Sequence, residues 1–401
     1  MTAEELISST LSKNILFVMS GVTGRSTPCM HLVSESIRFL SQHNIQSSLI
    51  IPDNTVYAST SNRYFKHASN CNTVKMQTTE MASPYYRVRK LIQQSCNKYS
   101  IDLIHLYGFC HAMKLIPSLQ TLGIPIVVSC TPECTQSMFY GNFPNNLYNK
   151  VAHFIVDSSI GKNLLCLNGV PESSISIIQN RNLHINPVSV ERVANISKHL
   201  SLSDDVRKIL FFMLYNEDNN QNIDFFLKVM QTAYKSYKNK DILCFFLNNS
   251  NEPDAAMEDM SLSIMKDRIP YDYTYRFSDK DITATFQLAS HIIIPSSVCY
   301  KAYEDAITVL EMAKSLIVSD RIIPPERIYH RNTGWVYRDL SVADCAAALV
   351  EAISLSDDDT ASMDLLRLKK NKELPSITDI LNKTLLIYSN IWEYYQKQEV
   401  L

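Results

Sequence analysis

The chain has 401 residues, 46% of them hydrophobic and 19% charged, with a formal net charge of −2. These values exclude a disordered chain, give no electrostatic case for a nucleic-acid partner, and imply two domains rather than one. No run of 18 apolar residues is present to span a membrane, and the early acids of MTAEELISSTLSKN argue against a secretion signal.

Continuing along the chain, KNILFVMSG (13–21) is an apolar run ending in small residues, as expected of a buried parallel strand. A turn, SGVTGRSTP, leads into CMHLVSESIRFLSQHN, with Met30, Val33, Ile37 and Leu40 at helical spacing, and SSLIIP (47–52) reads as the next strand. The alternation continues with a helix over 83–100 that has Pro84 in its first turn. Next come a strand at DLIHLYG (102–108), a helix ended by Gly123, strands at IPIVVSC (124–130) and AHFIVDSS (152–159), a short helix to Gly169 and a strand at SISIIQN (174–180). Residues 181–206 are polar, without strong periodicity, and read as a linker or connecting helix.

A second series follows. RKILFFMLY (207–215), DILCFFLNN (241–249), YTYRF, HIIIPSS (291–297), SLIVSD and TGWVY (333–337) are strands. Helices are expected at NIDFFLKVMQTAYKSYKN, DITATFQLAS, ITVLEMAK, SVADCAAALVEAIS and ITDILNKTLLIYSNIWEYYQKQ. Two successive α/β series imply two doubly wound, Rossmann-like domains, at 1–185 with the terminal helix 376–401, and at 206–370. Ten scattered cysteines without a CxxC pair are expected to be reduced thiols in a cytoplasmic protein, with no metal site. Glycine is scarce, eight residues against an average usage of about 7%.

LASHIIIPSS, an acidic loop, VLEMAKSLIVSD, NTGWVY and AAALVEAI, taken with DLIH and VDSSIGKNLLCLNGVPESSISIIQN, resemble GT-B glycosyltransferases in order and spacing. The most similar is the large retaining family usually numbered 4, which uses nucleotide sugars. The resemblance implies two Rossmann-like domains facing a cleft, a C-terminal helix packing back on the first domain, and sugar transfer from a nucleotide-diphosphate donor to a glycan, lipid-linked or protein hydroxyl, without a metal cofactor. The family carries two glutamates separated by seven residues, the first before a helix and the second inside it. Glu311 matches the second. Tyr303 holds the place of the first, with Glu304 beside it as the catalytic candidate that a shortened loop could present to the sugar. The alternative for Glu304 and Asp305 is capping of the helix N-terminus, which its dipole favours.

The resemblance further assigns donor binding to Glu311, Leu310, Ser296 and Ser297, phosphate contact to the Gly21–Gly24 loop, and a donor contact to Asn180, which is followed by Arg181 where the family has glycine. In CTPEC (130–134), Glu133 is a second catalytic candidate, able to orient an acceptor hydroxyl. The family's arginine and lysine clamp is absent: Met213, Leu214 and Tyr215 occupy the arginine region, and Asn220 and Gln221 the lysine region. Arg181, Arg276, Lys301 and Arg321 are the substitutes, each also readable as a solvated surface charge. His105 reads as a satisfied strand-end histidine. Tyr85, Tyr86, Arg87, Arg89 and Lys90 form a basic and aromatic helix face that could rest on the inner face of a membrane or simply face solvent. The competing function is a catalytically silent GT-B-like partner or acceptor-binding subunit. A dehydrogenase or epimerase is disfavoured, because no GxGxxG with its downstream acid occurs.

Overall fold

The computed structural model describes residues 13–19, 27–53, 71–77, 84–130, 145–179, 189–200, 208–215, 219–236, 242–248, 274–276, 282–295, 300–322, 328 and 331–399. The chain divides into two compact units, 1–183 with 375–401, and 184–374.

The first unit contains β1 (Asn14–Val18), α1 (Thr27–Gln42), β2 (Gln46–Asp53), β3 (Cys71–Gln77), α2 (Pro84–Tyr99), β4 (Leu103–Tyr107), α3 (Phe109–Leu119), β5 (Ile126–Ser129), α4 (Asn145–Tyr148), β6 (His153–Val156), α5 (Ser159–Leu167) and β7 (Ile175–Ile177). Its sheet has the order β3-β2-β1-β4-β5-β6-β7, and each neighbouring pair is parallel. Parallel strands covered on both faces must be apolar throughout. Accordingly, every residue of NILFV and of LIHLY is buried, with Asn14 and His105 as the polar exceptions. β3 escapes the sequence pattern. CNTVKMQ has no apolar run, and it is held at the sheet edge by its ladder to β2, from Ser47↔Cys71 to Asp53↔Gln77.

The second unit contains α6 (Val190–His199), β8 (Lys208–Leu214), α7 (Asn219–Ser236), β9 (Ile242–Asn248), β10 (Thr274–Arg276), α8 (Ile282–Leu288), β11 (His291–Ile294), α9 (Tyr300–Glu311), β12 (Ser315–Ser319), β13 (Trp335–Tyr337), α10 (Val342–Ile353) and α11 (Asp357–Glu373). Its parallel sheet runs β10-β9-β8-β11-β12-β13. In both sheets the order reverses beside the first strand, between β1 and β4 and between β8 and β11, which is the doubly wound arrangement that opens a crevice there. Of the two readings of 181–206, linker or connecting helix, the structure has the helix: α6 lies there, and its N-cap Ser189 accepts a hydrogen bond from the Arg192 amide at 3.2 Å.

The last helix, α12 (Ile377–Glu399), belongs to the first unit. Ile380, Leu381, Leu385, Tyr388, Ile391 and Trp392 are buried at helical spacing. Lys13 lies over the Trp392 ring at 6.0 Å, and Tyr388 reaches His105 on β4. The terminal helix therefore packs back on the unit that opens the chain.

Candidate functional site

In open α/β sheets ligands sit beyond the carboxyl ends of the strands, near the point where the strand order reverses. In the second unit that point is bounded by the end of β8 and by α9, which follows β11. Helix α9 begins at Tyr300, so Glu304 lies inside the helix and not in a loop before it, and Asp305 is not an N-cap. Seven residues of α-helix advance about 10.5 Å and return to within about 20° of the starting azimuth. Positions 304 and 311 therefore share one face of α9, while position 305 is turned about 100° away from 304.

Asp305 is 1% exposed, and the Tyr215 hydroxyl, just past the end of β8, donates to its Oδ2 at 3.2 Å. A carboxylate this buried requires donors, and a charge-assisted hydrogen bond is a strong one. The same Tyr215 stands in the region where the resemblance expects an arginine. Its phenol is buried and committed to Asp305, and Met213 beside it is fully buried. Of the four substitute cations, Arg321 pairs with Asp339 at 3.3 Å, in a local network in which Ser319 Oγ also donates to Asp339. Arg181 lies outside the described residues, and Lys301 and Arg276 are placed on α9 and β10.

The end of α9 is firmly fixed. The Ala313 amide donates to the Leu310 carbonyl and the Lys314 amide to the Val309 carbonyl, at 2.9 and 3.0 Å. This reciprocal pair closes a helix through a left-handed residue, here Ala313 with φ 57°. Asn371 of α11 donates its side-chain amide to the carbonyls of Leu310 and Glu311, at 2.8 and 2.9 Å. Leu310 is buried and Glu311 is partly exposed. Glu311 is thus held at a rigid helix end, with its backbone satisfied from a neighbouring helix. Tyr337 closes the far side of β11 by donating to the Ile294 carbonyl at 3.2 Å.

In the first unit, a cavity of about 50 Å³ lies at the carboxyl ends of β4, β5 and β6, with Thr384 and Ile380 of α12 contributing to its wall. His105, itself buried, lines it. Its Nδ1 meets the Tyr388 hydroxyl at 2.5 Å and its Nε2 meets Ser129 Oγ at 2.7 Å. Tyr107 stacks on the ring at 4.4 Å. Burial pushes the imidazole down to about 3, because removing the charged form from water is unfavourable. A neutral ring donates through one nitrogen and accepts through the other, so Tyr388 and Ser129 together complete its bonding. His105 is satisfied, as the sequence suggests, but it is fully buried at the middle of β4 and not semi-buried at a strand end. The link from Tyr388 to His105 was not anticipated, although the aromatic stripe of the terminal helix was its visible trace. Asp157 and Ser129 also line the cavity.

The remaining sequence candidates, Gly21, Gly24, Glu133, Asn180, Ser296 and Ser297, lie outside the described residues. Among the described residues, no group of three or more His, Cys, Asp or Glu could hold a metal ion, and no helix is long and apolar enough to cross a membrane.

No family model matches the chain, and no curated protein does. Solved structures do. A glycosyltransferase from Rickettsia africae superposes with a TM-score of 0.67 at 14% identity, covering 95% of this chain and 98% of that one. HepE of Anabaena in complex with UDP and glucose gives 0.63 at 12%, covering 94% and 100%. The sucrose-phosphate synthase of Thermosynechococcus elongatus gives 0.65 at 11%, covering 95% and 100%. At these identities the likeness is one of fold, and the fold is GT-B.

Proposed function

We propose that the protein is a glycosyltransferase of the retaining family 4 type, moving a sugar from a nucleotide-diphosphate donor to a hydroxyl of a glycan, lipid-linked or protein acceptor. The observation that carries the reading is α9. It follows the fourth strand of the second sheet, at the carboxyl end, and its helical period puts positions 304 and 311 at nearly the same azimuth. Glu311 at its fixed end binds the ribose hydroxyls, by the charge-assisted hydrogen bonds that suit a vicinal diol. Glu304, nearly two turns toward the helix start, is the acid nearest the sugar, and Leu310 supports the pocket from the core side. Ser296, Ser297, Gly21, Gly24 and Asn180 complete the donor site, and Glu133 orients the acceptor. The reaction proceeds without a divalent metal in the cytoplasm. UDP-hexoses are the first donors to test, since the HepE structures hold UDP and glucose.

Calorimetric titration with UDP, GDP and their common sugar conjugates tests the proposal. Saturable binding that weakens at least tenfold in Glu311→Ala supports the donor site, and binding of no nucleotide overturns it.

One observation favours a second reading, that of a catalytically silent GT-B partner subunit. Tyr215 stands in the region of the leaving-group cation and spends its hydroxyl on Asp305. A lost oxyanion-type donor is worth roughly 3 to 4 kcal/mol of transition-state stabilisation. Nucleotide binding with neither hydrolysis nor transfer of any donor sugar would select this reading.

A further inference from the structure

Helices α2 and α3 pack side by side in the first unit. Together they carry Arg87, Arg89, Lys90, Lys98 and Lys114, and not one aspartate or glutamate. In a chain whose acids outnumber its Lys and Arg by 40 to 38, that is a marked segregation of charge. Four of the five are turned outward. Arg89, Lys90, Lys98 and Lys114 are exposed, and between them lie only uncharged exposed residues such as Gln94 and Asn97. Arg89 and Lys90 form no ion pair among the described residues. The α2 cations run from position 87 to 98, a span of about 17 Å along the helix.

The face is also aromatic at one end. Tyr86 is 65% exposed, an unusual place for so large a ring. Beside it, Lys114 reaches across from α3 to donate to the Tyr85 hydroxyl at 3.2 Å and lies 5.0 Å over its ring. That contact ties the two helices into one patch. Tyrosine prefers the boundary between acyl chains and headgroups, where its ring is buried and its hydroxyl stays wet. Lysine and arginine gain from the negative surface potential of anionic lipid and can extend to it while their stems rest on apolar material.

We propose that the α2–α3 face is a docking surface for an anionic phospholipid membrane. The patch carries one strongly exposed ring, Tyr86, beside four exposed cations, whereas single-stranded nucleic acid is held on several rings on which successive bases stack. These features suit a flat headgroup plane better than a nucleic acid. One polybasic patch with one interfacial ring gives reversible association, since stable anchoring takes two full signals. The inference stands apart from the donor-site reading, because no residue of α2 or α3 belongs to that site.

The test is co-sedimentation of the full chain with vesicles of pure phosphatidylcholine and of phosphatidylcholine with 30% (about one lipid in three) phosphatidylglycerol, a content at which the surface potential is large. Binding is expected only to the anionic vesicles, and it should fall steeply between low salt and about 0.5 M, where the screening length drops to a few ångströms. Each neutralised cation near the surface should weaken binding about fivefold, so Arg89→Gln/Lys90→Gln/Lys114→Gln should weaken it about a hundredfold. Lys235→Gln on α7 of the other unit should leave it unchanged. Tyr86→Ala should weaken vesicle binding but not binding to an oligonucleotide or heparin. Equal affinity for pure phosphatidylcholine, indifference to the triple substitution, or capture by the oligonucleotide in preference to vesicles would each overturn the proposal. Retained thermal unfolding of the triple variant, whose positions are all exposed, shows that any loss is not loss of the fold.

Discussion

Acidification should weaken the two units unequally, and the chain supplies its own reporters. Trp335 lies in the second unit and Trp392 in the first, and both are buried. Trp335 stands edge-on to His291 at 6.1 Å, and Trp392 adjoins Tyr388, the partner of His105, at 6.1 Å. Burial drives His105 down to about 3. His291 also falls to about 3, through burial and then the nearby Lys208 and Arg367 cations. His153, at a partly solvated position against Ser176, falls to about 4. Each is neutral when folded and titrates near 6.5 when unfolded. Below pH 6.5 the unfolded chain therefore binds protons that the folded chain refuses, and stability falls as pH falls. Between pH 7.5 and 5, a group moved from 6.5 to about 3 forfeits about 2 kcal/mol, from 1.36 kcal/mol per unit over roughly 1.5 units. The second unit should lose about 2 kcal/mol through His291. The first should lose about 2 through His105 and a smaller, solvent-screened amount through His153. Urea titrations of the Trp335→Phe and Trp392→Phe variants, followed by the remaining tryptophan at pH 7.5, 6.5, 5.5 and 5.0, measure this directly. His291→Asn should flatten the second unit's slope without touching the first. Midpoints that stay level down to pH 5, or a second unit that falls faster than the first, would refute the reasoning.

Other consequences follow from single contacts. Ala313→Gly should stabilise the second unit by about 0.5 to 1 kcal/mol, since a left-handed residue with a Cβ costs roughly 1–2 kcal/mol and glycine returns part of that as chain entropy; a lower urea midpoint would contradict the helix-end geometry. Gly334→Ala should lower it by about 1–3 kcal/mol, because an added Cβ would sit 2.8 Å from the Leu316 carbonyl oxygen. Tyr388→Phe removes a buried bond to His105 and should destabilise the first unit by about 1–3 kcal/mol, seen as an earlier Trp392 transition with Trp335 unchanged. Tyr215→Phe, which deprives Asp305 of a donor, should act on the second unit by a similar amount, with the same fluorescence assay reading Trp335.

The strand and helix series was legible because parallel strands buried on two faces are written as apolar runs, and NILFV, LIHLY and HIII could be little else. What escaped has no apolar run or periodicity to mark it. β3 is an edge strand with a polar sequence, and α11 buries only Met363 and Arg367 over seventeen residues, so no periodicity marks it. Its caps were nevertheless written plainly. Ser356 accepts from the Asp359 amide at 3.1 Å, three acids open the helix, and Lys370 and Lys372 close it. Sequence could place Glu311 in a helix before a strand. It could not tell that the helix starts early enough to include Glu304, because the boundary lies among residues whose polarity suits a loop or a first turn equally well.

The shortage of glycine has a physical reading once the backbone is known. Asn44, Ser100, Ala313, Arg331 and Leu340 all adopt left-handed φ between 50 and 67°, in places where glycine is the usual solution. The chain therefore closes α9, and with it the fixed position of Glu311, through an alanine held in a strained conformation by the Leu310 and Val309 carbonyls and by Asn371. Strain of that kind persists only when the surroundings over-determine it. Here the surroundings are the backbone pair at the helix end and a side-chain amide from a separate helix, so the acid at the end of α9 is positioned by two elements instead of one. Replacing Asn371 should loosen Glu311 without altering any group that could touch a donor. Asn371→Ala that weakens UDP binding with unchanged enthalpy of unfolding would mark α11 as the support of the site. Unaltered binding would mean that α9 holds Glu311 by itself.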